Sequence, residues 1–206
     1  MLTFDSIFFA TRRFAAVLIL ILAAPLALAE EWTLNNDQSS VHFVSIKAGN
    51  LAEVHSFNQL SGVITASGEA SVEIQLASVD TLIPIRDDRM REFLFESNLF
   101  PTAAFTVDLS ETDFSGAEQG GVVALNGTLA LKDRQIPLSV EAQVLQSSPD
   151  TVLVSSAKPI LLSAGQLGLS AGVAKLQELA GLPSISDAVP LTFSLTFNKA
   201  QPTAAE

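Results

Sequence analysis

The sequence predicts an all-β domain of about eight antiparallel strands, a closed barrel or a sandwich, interrupted by two short helices. Three observations predict it. Apolar residues recur with a period of two in four separate runs. Turn signals built from Gly, Asn, Ser, Asp and Pro separate the runs at short intervals. Only two stretches carry apolar residues at helical spacing.

The elements follow in order. Residues 40–47 read as a strand, closed by the turn Ala48-Gly49-Asn50, and residues 56–66 as the next, closed by Ala66-Ser67-Gly68. Val72, Ile74 and Leu76 then alternate with Ser71, Glu73 and Gln75, so one face is buried and the other wet. Residues 77–85 continue as strand. From residue 87 to 97 the pattern changes: Met90, Phe93 and Leu94 share a helical face, Asp87 or Asp88 caps the start, and Pro101 limits extension. Ala103, Phe105, Val107 and Leu109 return to period two. After Gly120-Gly121 come strands at 122–132, at Leu138, Val140, Ala142 and Val144, and at 151–157, separated by Lys132-Asp133-Arg134 and Ser147-Ser148-Pro149-Asp150. The second helix spans 171–180, with Val173, Leu176 and Ala180 on one face, Gly181 as its C-terminal stop and Pro183 beyond. Leu191, Phe193, Leu195 and Phe197 form the last strand. No internal repeat or domain boundary interrupts residues 30–199, and residues 200–206 read as a disordered tail.

The front of the chain reads as a leader. Arg12 and Arg13 precede an apolar run over residues 14–26, closed by Ala27-Leu28-Ala29. A charged start, an apolar middle and an A-x-A end are the layout of a cleaved signal peptide, here residues 1–29. The run is too short for a bilayer span, which needs about 20 residues. The expected working protein is Glu30 to Glu206, exported and without stable membrane insertion. With no Cys after the cleavage signal, a lipoprotein anchor is excluded.

Charge and composition narrow the partners. The chain has a formal net charge of −11, and losing the leader, with Asp5, Arg12 and Arg13, makes it one unit more negative. An acidic surface repels phosphate backbones, so nucleic acid is not an expected partner. The absence of Cys rules out disulfides, thiol chemistry and Cys-ligated zinc. Phe is abundant and Tyr absent, which supplies apolar area with no hydroxyl to satisfy.

Little in the chain points to catalysis. His42 and His55 flank a turn, where they would approach each other as metal or haem ligands or supply a base for a Ser nucleophile. No acidic or Cys ligand stands at a matching offset, and phosphate loops, nucleophile elbows and His-Glu-x-x-His motifs are missing. Two solvated or mouth-lining histidines are the simpler reading. The expected protein is therefore not an enzyme and carries no metal or other cofactor. The alternatives held beside it are a haem- or metal-dependent redox protein or hydrolase using His42 and His55, and a fully packed barrel that binds a protein partner.

The densest polar cluster is Arg86-Asp87-Asp88-Arg89-Met90-Arg91, set before Phe93, Leu94, Phe95, Leu99 and Phe100. A charged corner against an apolar patch suits the closing of a barrel mouth, with Arg86, Asp87 and Arg91 as its structural members. This stretch, from Thr81-Leu82-Ile83-Pro84-Ile85 through the corner to Leu94-Phe95-Glu96 and Phe100-Pro101-Thr102-Ala103-Ala104-Phe105, resembles the signature of the YceI family. Trp32-Thr33-Leu34 with Ser39-Ser40-Val41-His42-Phe43 resembles that family's first strand. Phe57 and Gly62 fit its second. Gly127-Thr128-Leu129-Ala130-Leu131-Lys132-Asp133 and Ile136-Pro137-Leu138 fit a later hairpin. The resemblance spans about residues 31 to 198. One departure stands out: Leu162-Ser163-Ala164-Gly165-Gln166-Leu167-Gly168 occupies the place where many members carry an Arg and an aromatic residue.

The resemblance implies a lipocalin-like eight-stranded antiparallel barrel with an elongated apolar cavity. It further implies a periplasmic, non-catalytic protein that binds, transports or stores a long polyisoprenoid, an isoprenoid quinone or its precursor. A homodimer is left open. The expected lining residues are Phe43, Ile46, Phe57, Phe93, Phe95, Phe100 and Phe105, with Phe193 and Phe197 after them. Phe114, in a loop-like stretch, is expected to stand apart from the bore.

Overall fold

The computed structural model of the chain describes residues 31–110, Thr112, Phe114 and 120–200. The leader reading of residues 1–29 and, apart from Ala200, the tail reading of residues 200–206 fall outside the described residues; the Ala200 N–H donates to the Glu31 carbonyl (2.7 Å).

Twelve strands among these residues form one antiparallel sheet: β1 (Trp32–Leu34), β2 (Ser40–Lys47), β3 (Leu51–Phe57), β4 (Leu60–Ile64), β5 (Glu69–Gln75), β6 (Val79–Asp80), β7 (Thr102–Asp108), β8 (Val122–Leu131), β9 (Arg134–Ser148), β10 (Thr151–Ser156), β11 (Ile160–Ser163) and β12 (Ala188–Lys199). They resolve into eight staves, because four staves are broken. β1 and β2 share one side of β12, through Leu34↔Phe197 and Val41↔Phe193. β10 and β11 share its other side, through Val152↔Phe197 and Ile160↔Leu191. β3 and β4 pair with β2 and β1, and β6 and β5 pair in turn with β3 and β4. β7, β8, β9 and β10 complete the meander. Every stave lies beside its sequence neighbour, and β12 closes the ring on β1. Among the described residues β6 and β11 have one partner each, and every other strand is paired on both sides.

The breaks explain why the strand pattern was only partly legible. Between β1 and β2 a 3₁₀ turn, Asn36–Gln38, interrupts the ladder, and side chains replace its bonds. The Thr196 N–H donates to Ser39 Oγ (3.0 Å), its hydroxyl donates to the Gln38 carbonyl (2.9 Å), and the Leu60 N–H donates to Asn36 Oδ1 (2.7 Å). The expected single strand over 56–66 is two strands, parted at Asn58-Gln59, whose N–H groups turn to Ser78. The expected strand over 77–85 is mostly absent. A 3₁₀ turn (Leu76–Ser78) and the two-residue β6 precede a helix that begins at Pro84. Pro at the first helical position lacks only an N–H that the helix would leave unpaired. At residues 157–159 Pro159 cannot donate to a ladder, and the stave resumes as β11, which the periodicity did not flag.

Helix α1 (Pro84–Arg89) runs into a wider turn over Met90–Leu94, where the Phe95 N–H reaches the Met90 carbonyl five residues back (2.9 Å). This turn moves the buried face. The α-helical spacing of Met90, Phe93 and Leu94 becomes Met90, Leu94 and Phe95, all buried, while Phe93 swings to the side. Neither Asp87 nor Asp88 caps the helix start: Ile83 holds that position, and Asp87 is buried inside the corner. Helix α2 (Ser170–Ala180) ends as expected at Gly181, at φ +61°. The Leu182 N–H bonds the Gln177 carbonyl and the Gly181 N–H the Glu178 carbonyl, each at 3.1 Å. This paired arrangement satisfies carbonyls that a bare helix end would orphan.

Candidate functional site

The barrel is not filled. Two apolar chambers, of about 370 and 360 Å³, lie within it and share Ile74, Ala103, Leu129, Leu162 and Leu191 as a common waist. Each volume falls within the range of small-molecule pockets. A packed interior is therefore not what this chain builds.

The alternating runs supply the walls. Val72, Ile74 and Leu76 all line the chambers, as do Ala103, Phe105, Val107 and Leu109, and Leu191, Phe193, Leu195 and Phe197. The inner chamber, the one away from the helices, is lined by these aliphatic and aromatic faces together with Trp32, and among the described residues Gln146 is its one polar lining residue. Phe105 lies over Gly127 on the neighbouring strand: a Cβ at Gly127 would stand 2.5 Å from the ring. Glycine there lets the ring lie flat along the wall.

The outer chamber is roofed by helices. Val173, Leu176 and Ala180 of α2 face it, the same three residues that share a face by spacing. Leu162, Ala164, Leu167 and Leu169 line it too, so the segment that departs from the family pattern supplies apolar wall. Phe43, Phe57 and Phe95 form a chain of tilted rings, with centroids 5.4 and 5.7 Å apart, and His55 joins it 5.1 Å from Phe43.

One wall of this chamber is polar. Ser45, Lys47, Glu53, His55, Arg86 and Arg89 all line it. Glu53 Oε2 accepts from Lys47 Nζ and Arg86 Nη1, both at 2.7 Å. The hydrogen bond from Lys47, helped by the Arg86 charge, holds the Glu53 carboxyl below its ordinary pKa. His55 is 3 % exposed, and its Nε2 pairs with Ser45 Oγ at 2.8 Å. Burial, reinforced by the Arg86 charge, pushes its pKa below 6.5 and keeps the ring neutral. His55 Nδ1 and Arg86 Nε are buried with no hydrogen-bond partner among the described residues. Such atoms are costly unless something meets them.

The charged corner holds this end together. Arg86 Nη2 donates to the Thr81 carbonyl (2.6 Å). Arg89 Nη1 reaches the Leu179 carbonyl near the C-terminus of α2 (3.4 Å), where a cation suits the helix dipole. Arg91 Nε donates to the Ala77 carbonyl (2.7 Å) and its Nη2 to the Val79 carbonyl (3.2 Å). Asp87 Oδ1 accepts from the Thr81 N–H (2.8 Å) and hydroxyl. Arg86 and Arg89 thus tie α1 to β3, Thr81 and α2, and Arg91, in the turn that follows α1, ties the corner to Ala77 and β6.

The site residues expected from sequence separate into two groups. Phe43, Phe57 and Phe95 line the outer chamber and Phe105 the inner one. Ile46, Phe93 and Phe100 line neither. Ile46 stands three positions from Phe43, and an odd separation along a strand puts it on the opposite face. Phe100 lies beneath the Lys132 ammonium, 5.3 Å from its ring centre, outside the bore. Phe114 does not stand apart: it lines the inner chamber, as do Phe193 and Phe197. His42 and His55 do not converge, because Phe43 pairs with His55 and His42 with Ser56, so the two imidazoles take opposite faces. Among the described residues no cluster of three His, Asp or Glu side chains is arranged to hold a metal ion. No helix among them is long and apolar enough to cross a membrane. The aliphatic lining and the polar wall were missed by a reading that followed the aromatics. The period-two faces already marked the former; nothing local marked the latter.

Known proteins place this geometry in context. A family model described as YceI-like domain matches residues 32–197. A polyisoprenoid binding domain from Saccharophagus degradans, implicated in plant cell wall breakdown, is 32% identical, covers 84% of this chain and 99% of its own length, and superposes with a TM-score of 0.77. BcnA of Burkholderia cenocepacia is 20% identical, covers 79% of this chain and 98% of its own, with a TM-score of 0.63. The YCEI protein of Campylobacter jejuni is 17% identical, covering 72% and 85%, with a TM-score of 0.54. The last two likenesses concern the fold. No curated protein matches the chain.

Proposed function

The chain belongs to the YceI-like family, and from that premise we propose that it binds a long isoprenoid lipid inside the barrel, without catalysis, for transport or storage. The observation that carries this reading is the pair of chambers meeting at Ile74, Ala103, Leu129, Leu162 and Leu191. One slender chain threads both, its tail in the inner chamber and its polar end at the wall of Ser45, Lys47, Glu53, His55 and Arg86. Each buried CH₂ contributes about 0.8 kcal/mol, so a chain of many carbons has ample driving force against ordering costs. The polyisoprenoid-binding description of the Saccharophagus degradans relative supports the ligand class. Lining by Phe43, Phe57, Phe95 and Phe105 belongs to this proposal, as does the corner of Arg86, Asp87 and Arg91 as the support of the mouth. Opposed faces for His42 and His55 weigh against the redox and hydrolase alternatives.

Export to the periplasm rests on the leader-like residues 1–29. Between two membranes an oily ligand needs a carrier. N-terminal sequencing of the protein recovered from the host checks that part, with Glu30 as the expected first residue.

Trp32 is the sole tryptophan and lines the inner chamber. Titration with an isoprenoid quinone is expected to quench its fluorescence saturably, and mass spectrometry of the gently purified protein to find a bound apolar molecule. No bound lipid together with no quenching would falsify the proposal.

A further inference from the structure

The outer chamber opens between α1, the β2–β3 hairpin and the segment after α2, as its lining by Ile83, Ile85, Lys47, Glu53, Leu182 and Ile185 indicates. This rim is oily on the outside as well. Leu82 is 86% exposed, and Leu51, Val54, Ile83 and Ile85 are exposed with it. Ile83 and Ile85 both line the chamber and face solvent, so rim and bore are one continuous apolar surface. The Arg86–Glu53 ion pair ties α1, which carries Ile85, to the hairpin, which carries Leu51 and Val54.

Leu82 is the least expected member. Its φ is +61°, a region that leucine rarely adopts. Its N–H is fixed by Asp80 Oδ1 at 2.8 Å, and Asp80 is held in turn by Asn58 Nδ2 at 3.2 Å. The chain thus keeps an unfavourable backbone conformation in order to show a leucine to solvent. The charge of the rim also departs from the rest of the molecule. Lys47, Arg86, Arg89 and Arg91 stand against Glu53, Asp80, Asp87 and Asp88, so the charges of the rim balance in a chain of net charge −11. Within a Debye length of about 8–10 Å that local balance, more than the charge of the whole chain, is what an anionic surface meets.

We propose that this rim seats on the surface of a bilayer containing anionic phospholipid, so that the ligand slides from the membrane into the outer chamber without crossing water. Apolar side chains beside cations are what such a surface takes up. The inference rests on the lipid-binding reading, and its test separates the two.

The mature protein is loaded with an isoprenoid quinone from two sources: phosphatidylcholine vesicles with a minor fraction of phosphatidylglycerol, and detergent micelles. Trp32 quenching reads both. The variant is Leu82→Asn with Val54→Asp, neither position lining a chamber, and Asn tolerates the left-handed backbone better than Leu. Loading from vesicles is expected to slow about tenfold or more, while loading from micelles stays unchanged. Leu161→Asp, a 75% exposed leucine on β11, is expected to change neither. Vesicle loading equal to that of the parent overturns the proposal. Failure of the parent to load even from micelles overturns the lipid-binding reading and this proposal with it. A dimer that the variant dissolves, seen by sedimentation, assigns the rim to a second copy and overturns it as well.

Discussion

Gly172 of α2 packs against Phe93 so closely that a Cβ placed on it would stand 2.6 Å from the Phe93 carbonyl oxygen and 2.7 Å from Leu94 Cα. The roof of the outer chamber therefore rests on a glycine. Gly172→Ala forces backbone apart, because neither contact atom belongs to a flexible side chain. A loss of about 1–3 kcal/mol is expected for overpacking of this kind, measured by urea unfolding. An unchanged midpoint would show that α2 is loosely seated.

The waist offers a way to ask whether one ligand uses both chambers. Ala103 is buried and lines both. Ala103→Phe would block the passage. Affinity for a long-chain quinone is expected to fall about tenfold or more, since losing two buried methylenes already costs that much. A two-isoprene analogue is expected to keep its affinity. Equal losses for both, measured by calorimetry, would mean that the two chambers do not serve one chain.

The corner gives a contrast between neighbours. Asp87→Ala leaves the buried Thr81 N–H and hydroxyl without their acceptor, at an expected cost of about 2–4 kcal/mol. Asp88 is largely exposed and, among the described residues, pairs only with Arg91 at 2.9 Å, so Asp88→Ala is expected to cost under about 1 kcal/mol. Thermal unfolding of the two variants checks the difference. Similar values would place Asp87 outside the supporting structure.

The polar wall sets a pH dependence. His55 has a folded pKa below 6.5, so below that pH the unfolded chain binds a proton that the folded chain resists. Stability thus rises with pH through the window under 6.5 and falls on acidification through it. Glu53 adds a second loss at lower pH. Its folded pKa lies below its unfolded value of 4.5, so its stabilisation is present above 4.5 and vanishes as pH drops through the folded value. His55→Gln is expected to flatten the slope just below 6.5 while leaving the more acidic one. Parallel stability curves for the two proteins, followed by urea unfolding across pH, would contradict this.

Much of the barrel was legible because period two is a local code. Ala103, Phe105, Val107 and Leu109 alternate in the sequence, and all four line the inner chamber. Helix α2 was readable for the same reason, from Val173, Leu176, Ala180 and Gly181. The expectation faltered where side chains replace backbone pairing. Nothing near Asn58 announces that its N–H turns to Ser78, and nothing near Thr196 announces Ser39, more than 150 residues away. Phe93 was misplaced because the wider turn over Met90–Leu94, with its five-residue hydrogen bond from Phe95 to Met90, rotates the face by one position.

By itself the sequence determined that strands would form, which of their faces would be apolar, and where the second helix would stop, because alternation and turn chemistry act over a few residues. Only the tertiary structure decided that eight staves close, that their inward faces stand apart as two chambers, and that Glu53, His55 and Arg86 meet on one wall. Those outcomes depend on register between distant strands and on the space left when a ring of fixed circumference closes, and neither is written in any short stretch of the chain.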